Sequence, residues 1–422
     1  MKFLLLSIGT RGDMEPFLAI GDILLKAGHE AVCVMPAQFQ ELAEGAGFPF
    51  EPLDRRFLEL IDGSAGRAIM GQQGSTLNRV VQLAKLAKQS LAIQKDIVKE
   101  QRSAVVRHQP DRILYHPKCV FARAWGIGNP GKAIGISPIP NWLHPVHEYP
   151  HIAFNTDFGR RGNLLTYSVV NYLTALISAR YVKAFSADFP GDQLNRKSVS
   201  RYMREEERVL YLVSPTLFPR PDYWPDRAKV PGYFERPKTG DWSPPAGLPE
   251  FLARFKDEHI TFITFGSMVN AAPQATTKAI IEVLRNHQIP AIINTSSGGL
   301  LHQEDVPSHI HFVNNIPYEW IFPQVHSVVH HGGSGTTHTA VKHGCASLII
   351  PHIIDQFFWN KRLAALGAGP LGIKIKRLDE SSFEPLVLDL RANIVYKERA
   401  IELGRQMDGE ASVKALLREL IR

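Results

Sequence analysis

Short apolar runs alternate with amphipathic segments in two separate stretches of the chain. In the first stretch, Phe3–Ile8 is apolar apart from Ser7, as a strand covered on both faces requires. Pro16 suits the first turn of a helix running to about Ala27, where Gly28 stops it. His29–Met35 is a second apolar run, and Gln38–Ala46 a second helical segment closed by Gly47. This βαβα order with short loops predicts a parallel sheet with helices on its faces. Lys2 followed by Phe3–Leu6 reads as a buried strand rather than a signal peptide, because Gly9, Arg11 and Asp13 end the run without a small-residue cleavage site.

The pattern then loosens. Thr76–Ala104 has the length and composition of one long helix, with Arg79, Lys85, Lys88, Lys95 and Lys99 among its polar positions. Asn163–Phe185 reads as another, too polar for a membrane span. Between them, Ser137–Phe158 is a loop of Pro, Trp, His and aromatic residues, the kind of segment that carries a binding surface. Residues 214–249 hold nine of the 29 prolines, and proline both removes a backbone donor and disfavours helix before it. That stretch reads as a linker.

After it the alternation restarts: strands Ile260–Phe265, Ala291–Asn294, His311–Val313, Ser327–His330 and Ser347–Ile350, with helices Thr276–Asn286 and Thr336–Lys342 between them. The expected fold class is α/β, two tandem Rossmann-like doubly wound domains facing across a cleft. Residues 1–213 form the first domain, 214–249 the linker, 250–400 the second domain, and 401–422 a helical end that packs back toward the first.

Length and composition fit this division. The chain has 422 residues, enough for two ordinary domains, and 44% hydrophobic with 21% charged residues excludes disordered and collagen-like classes. The net charge of +7 is unevenly placed, with 20 basic against 11 acidic residues over 51–200. That is too sparse for a nucleic-acid stripe, and suits an acidic ligand or the surface of an anionic membrane, which the basic helix from Thr76 could touch. Cys33, Cys119 and Cys345 are too far apart in sequence for zinc-ligand spacing and are odd in number, so a reducing, cytoplasmic setting is the simplest expectation.

Two strand-to-helix turns carry candidate chemistry. Gly9-Thr10-Arg11-Gly12-Asp13 places two glycines and a carboxylate after the first strand, with Asp13 suited to act as a base or to cap the helix. It is not a dinucleotide fingerprint. His330-His331-Gly332-Gly333-Ser334-Gly335-Thr336-Thr337 offers backbone N–H groups and hydroxyls suited to phosphate, but lacks the lysine of a P-loop. A plain structural turn is the competing reading. Asp355 and Gln356 follow the next strand, where a carboxylate and an amide can hydrogen-bond the hydroxyls of a sugar. Ser267, after Gly266, could reach the same pocket.

Together these residues resemble a known family. GTRGDMEP at residues 9–16, FGSM at 265–268, NNIPYEWIFP at 314–323, HHGGSGTTHTAVKHG at 330–344 and PHIIDQFFWN at 351–360 are similar to a family 1 glycosyltransferase of the GT-B fold. The branch is that of sterol glucosyltransferases and bacterial natural-product glycosyltransferases. The resemblance implies inverting transfer of a hexose, most often glucose from UDP-glucose, to an acceptor hydroxyl, with no cofactor beyond the UDP-sugar co-substrate. It implies Asp13 as base, and donor contacts from Gly12, Ser267, Val313, Asn315, Ile316, His331, Gly333, Ser334, Gly335, Thr336, Asp355 and Gln356. Val313 stands where plant relatives carry a tryptophan, and the plant catalytic histidine near the first strand is missing, which leaves Asp13 as the obvious base. The leaving diphosphate needs positive potential, which His331 and a helix amino terminus would supply without a metal. The absence of any Asp-x-Asp agrees.

Trp142, His144, His147 and Phe154 are the expected lining of a hydrophobic acceptor site, with core packing or a surface loop as the alternatives. A metal site at His144, His147 and His151 is disfavoured, because Pro145 and Pro150 break any helical register between them. His338 and His343 read as helix-surface residues. A UDP-sugar 2-epimerase and a non-catalytic sugar-nucleotide-binding protein are the alternative function classes.

Overall fold

The structure, a computed structural model, describes residues 1–56, 93–183, 185, 194–236, 242–266, 268 and 270–422. The chain divides into two compact units, Met1–Arg236 together with Ala411–Arg422, and Pro237–Glu410.

Among the described residues the first unit is built on a seven-stranded parallel sheet: β1 (Lys2–Leu6), β2 (Glu30–Pro36), β3 (Phe50–Leu53), β4 (Arg112–Tyr115), β5 (Ala133–Ser137), β6 (Arg208–Tyr211) and β7 (Ala228–Lys229). Their order is β3-β2-β1-β4-β5-β6-β7. The apolar character of the first strand has the predicted cause. Phe3 and Leu5 face one core, Leu4 and Leu6 the other, and all four are fully buried. Residues 214–236, within the proline-rich stretch, carry β7. Proline is tolerated beside an edge strand, and β7 is the edge.

The first helix differs from expectation. It runs Arg11–Lys26, so Pro16 is its sixth residue and not part of its first turn. Thr10 and Asp13 set the start instead, and the N–H that Pro16 lacks would have faced the carbonyl of Gly12 on an exposed turn. Residues 93–108 are helical, whereas 76–92 of the helix expected from Thr76 lie outside the described residues. The helix after the aromatic loop spans Gly159–Val182.

The second unit holds a five-stranded parallel sheet of β8 (Thr261–Thr264), β9 (Ala291–Asn294), β10 (Ile310–Val313), β11 (Ser327–His330) and β12 (Ala346–Ile349), in the order β10-β9-β8-β11-β12. Helix Ile394–Met407 stays with this unit. Helix Val413–Ile421 belongs to the first, where Leu416 and Leu420 pack in the core of Phe3 and Leu5. Arg112 and Arg208, which open β4 and β6, donate to the carbonyls of Ile421 and Glu419, each at 2.6 Å, and so satisfy the end of that helix. Among the described residues no helix is long and apolar enough to cross a membrane.

Candidate active site

Each sheet reverses its strand order once, between β1 and β4 in the first unit and between β8 and β11 in the second. Loops leaving the carboxyl ends of parallel strands diverge at such a point and open a crevice for ligands. Both sequence candidates lie at one.

In the first unit, Asp13 sits in the first turn of helix Arg11–Lys26, 9% exposed. The Thr10 N–H donates to its Oδ2 at 2.7 Å and the Thr10 hydroxyl at 3.3 Å, so the carboxylate does cap the helix. Gly9 (φ +139°) makes room for it: a Cβ there would lie 2.0 Å from Asp13 Oδ2. Two cationic or donor groups from the far side of the reversal complete the cluster. His116 Nε2 lies 3.1 Å from Asp13 Oδ1, and Lys118 Nζ 3.7 Å from Oδ2. Burial opposes ionisation of Asp13, but Lys118, His116 and the Thr10 N–H outweigh it and hold the carboxyl well below the usual carboxylate range. Gly12 is exposed in the same turn. Sequence reasoning missed His116 and Lys118. Their signal was their place just after an apolar run, Ile113–Tyr115, at the carboxyl end of a strand.

In the second unit the ends of the three adjacent strands β8, β11 and β12 converge. His331 follows β11 with its ring held between two glycines. A Cβ at Gly333 would lie 2.4 Å from its Nε2, and one at Gly266 (φ +56°) 2.6 Å from its Cε1. Gly266 is pinned through its N–H, which donates to the Thr264 hydroxyl at 3.1 Å. Burial, with His330 and His352 beside it, keeps the His331 imidazole well below its ordinary range and therefore neutral. This corrects the expectation of positive potential from His331: the ring brings an N–H, and the positive end comes from helix Ser334–Lys342, which Gly333 caps. Ser334, Gly335 and Thr336 form that helix's first turn. His338, expected on its surface, is fully buried, 4.8 Å from Trp359, and its Nδ1–H donates to the Ser334 carbonyl at 2.7 Å.

Asp355 precedes helix Gln356–Leu366, and Gln356 is buried. The Gln356 carbonyl oxygen accepts the N–H groups of His352 (2.7 Å) and Ile353 (3.0 Å), so its amide N–H donors are what it can offer a ligand. Val313 and Ile316 are core side chains at the end of β10, while Asn315 is exposed with φ +54°. Ser267 lies outside the described residues.

The expected acceptor residues separate. Trp142 joins the Asp13 cluster, edge-on to His116 at 5.1 Å with Lys118 Nζ 5.5 Å from its ring centroid. His144 is a core residue, not a lining one. Its Nδ1 lies 2.8 Å from the Tyr211 hydroxyl, Trp224 packs on it, and burial pushes its imidazole down to about 3. His147 stacks on Tyr223 at 3.9 Å beside a cavity of about 260 Å³. Phe154 is partly exposed against Phe158. No cluster suited to a metal ion occurs among the described residues.

Comparison with known proteins agrees with this layout. Residues 3–107 match the glycosyltransferase family 28 N-terminal domain, and 283–421 the C-terminal domain of the erythromycin biosynthesis protein CIII type. A sterol 3-beta-glucosyltransferase of Saccharomyces cerevisiae (strain YJM789) is 28% identical over 99% of this chain and 34% of its own length. The sterol 3-beta-glucosyltransferase UGT80B1 of Arabidopsis thaliana is 28% identical over 98% of this chain and 67% of its own. The chain thus spans about a third of the yeast relative. The glycotransferase of kitacinnamycin superposes with a TM-score of 0.70 at 18% identity over 99% of both chains. With a glycosyltransferase family 28 N-terminal domain matched over residues 3–107, a C-terminal domain of the erythromycin biosynthesis protein CIII type matched over 283–421, and the same two-sheet architecture, the fold is that of the GT-B glycosyltransferases.

Proposed function

We propose that the chain transfers glucose from UDP-glucose to a hydroxyl of a lipophilic small molecule of the sterol, terpenoid or phenolic class, with inversion at the anomeric carbon. The observation that carries this reading is the convergence of Gly266, His331–Thr336 and Asp355-Gln356 at the carboxyl ends of three adjacent strands. The names of the yeast and Arabidopsis relatives support the acceptor class and the sugar.

On this reading the second unit holds the donor. The His331 N–H and the positive end of helix Ser334–Lys342 meet the diphosphate, and no metal ion is needed. Asp355 and the Gln356 amide meet the hexose hydroxyls. Because Val313 and Ile316 are committed to the core, segment 313–317 meets the nucleobase through its backbone and Asn315. Gly12 and Ser267 complete the donor set.

Asp13 acts on the acceptor. A lone pair of the acceptor oxygen forms a bond to the anomeric carbon as the bond to the diphosphate breaks, its electrons leaving with UDP. The hydroxyl proton passes to the Asp13 carboxylate and then to solvent. One displacement inverts the carbon. The groups that keep Asp13 ionised also make it a weak proton acceptor, which suffices when the proton moves late, since an oxygen already bonding to carbon holds its proton weakly.

Trp142 supplies an apolar wall beside the base. Exposed Leu165, Val169, Tyr172, Leu173, Leu176 and Ile177 form a stripe on helix Gly159–Val182, flanked by Arg160, Arg161, Arg180 and Lys183. This supports a lipophilic acceptor and peripheral contact with an anionic membrane. The three free, buried thiols fit a cytoplasmic setting.

The test is a matrix of UDP- and dTDP-sugars against sterol, terpenoid and phenolic acceptors, read by mass spectrometry and by the anomeric configuration of the product. Wild-type protein should yield the inverted glucoside, and Asp13→Ala should lose on the order of 10²-fold or more in turnover. A retained configuration, or wild-type turnover in Asp13→Ala, would overturn the reading.

A further inference from the structure

We infer that His116 is the positioning residue for Asp13: its buried ring, with Nε2 3.1 Å from one carboxylate oxygen, fixes which oxygen faces the acceptor hydroxyl. The inference rests on Asp13 being the base. His116 follows β4, and its own N–H donates to the Leu6 carbonyl at 2.8 Å, so the ring is tied to the strand that leads to Asp13. The Lys118 backbone N–H donates to His116 Nδ1 at 3.3 Å. That nitrogen is therefore an acceptor, and the neutral ring carries its hydrogen on Nε2, the atom 3.1 Å from Asp13 Oδ1. Trp142 meets the ring edge-on at 5.1 Å, and Phe17 lies 6.5 Å away on the helix that bears Asp13.

The two carboxylate oxygens are then unequal. Oδ2 takes the Thr10 N–H and hydroxyl and faces the Lys118 ammonium. Oδ1 has the His116 Nε2 contact at 3.1 Å, close but not aligned as a hydrogen bond, and is the oxygen left for a substrate hydroxyl. His116 has no solvent exposure, so substrate does not reach it. It acts through Asp13. Among the described residues the charged and titratable groups facing the pair are Lys118 on the loop after β4, the Cys119 thiol beside it and Arg123 on the following helix.

Without the His116 ring against Oδ1 the carboxylate is free to turn about its side-chain bonds toward Lys118, and its reactive oxygen leaves the acceptor. A misplacement of about 1 Å costs on the order of 10²-fold in rate. The experiment is a double-mutant cycle in glucosyl transfer to an aliphatic alcohol acceptor. His116→Leu should lower turnover roughly 10- to 100-fold with donor affinity unchanged. In an Asp13→Ala background the same change should cost less than about twofold, since positioning has nothing left to position. Multiplying losses would mark a merely structural role and overturn the inference, as would wild-type turnover in His116→Leu. If the leucine variant does not fold, His116→Gln and His116→Asn decide. Glutamine places an N–H where Nε2 stands and should retain most of the activity, whereas asparagine is too short and should not. The reverse order, or equal rates, refutes the assignment. Should Asp13→Ala itself keep full turnover, the reading of Asp13 as base is what has failed.

Discussion

Gly333→Ala tests the diphosphate site through geometry alone. Gly333 has φ −61° and ψ 142°, a backbone that alanine adopts without strain. The added Cβ would lie 2.4 Å from His331 Nε2, 3.1 Å from Cε1 and 3.3 Å from Cδ2. Optimal heavy-atom contact lies near 3.5–4.0 Å, so the ring must move by roughly 1 Å. A shift of that size breaks a hydrogen bond from the imidazole to a phosphate oxygen. A hydrogen bond to a charged group contributes about 1.5–3 kcal/mol, which corresponds to roughly 10- to 150-fold weaker UDP binding. The buried ring must yield to the added Cβ, so stability should fall by about 1–3 kcal/mol, small enough for the chain to stay folded. Titration calorimetry with UDP measures the first quantity and urea unfolding the second. UDP affinity within twofold of wild type, in a variant that stays folded, would refute the placement of His331 at the diphosphate.

Gln356→Ala removes the amide donors, and with them the acceptor for the His352 and Ile353 N–H groups, so kcat/KM for UDP-glucose should fall about tenfold or more while UDP affinity falls less; equal losses for both ligands would show that Gln356 does not meet the hexose. Leu416→Ala should cost about 2–5 kcal/mol by urea unfolding, because this side chain of the C-terminal helix is fully buried against the core of Phe3 and Leu5. A change under 1 kcal/mol would mean the helix adds little to the first unit. Stability should also fall as pH drops below about 6.5, before most carboxylates titrate. Burial holds His144 and His330 neutral down to about 3, whereas in the unfolded chain they protonate near 6.5, so between those values the unfolded state binds more protons. At pH 5 that is on the order of 2 kcal/mol per ring. An unfolding midpoint at pH 5 equal to that at pH 7.5 would contradict it.

The chain's own order of residues determined the strands, the two-sheet plan and the glycine-rich turns. Those features are local. Alternating burial of Phe3, Leu4, Leu5 and Leu6 follows from strand period, and the paired glycines at 332 and 333 announce a turn wherever they stand. Ala291–Asn294 and Ser327–His330 coincide with observed strands because buried parallel strands are read from short apolar runs without reference to partners. Tertiary structure decided the rest. Asp13, which the sequence presents alone, lies with His116 and Lys118, because β1 and β4 are neighbours in the sheet though about a hundred residues apart in sequence. His144 moved from acceptor lining to core once Tyr211 and Trp224 came to lie on it. His338 moved from helix surface to interior because Trp359, on the next helix, covers it. In each case the residue type left its protonation and exposure open, and only neighbours brought by the fold, through burial and hydrogen bonding, set them.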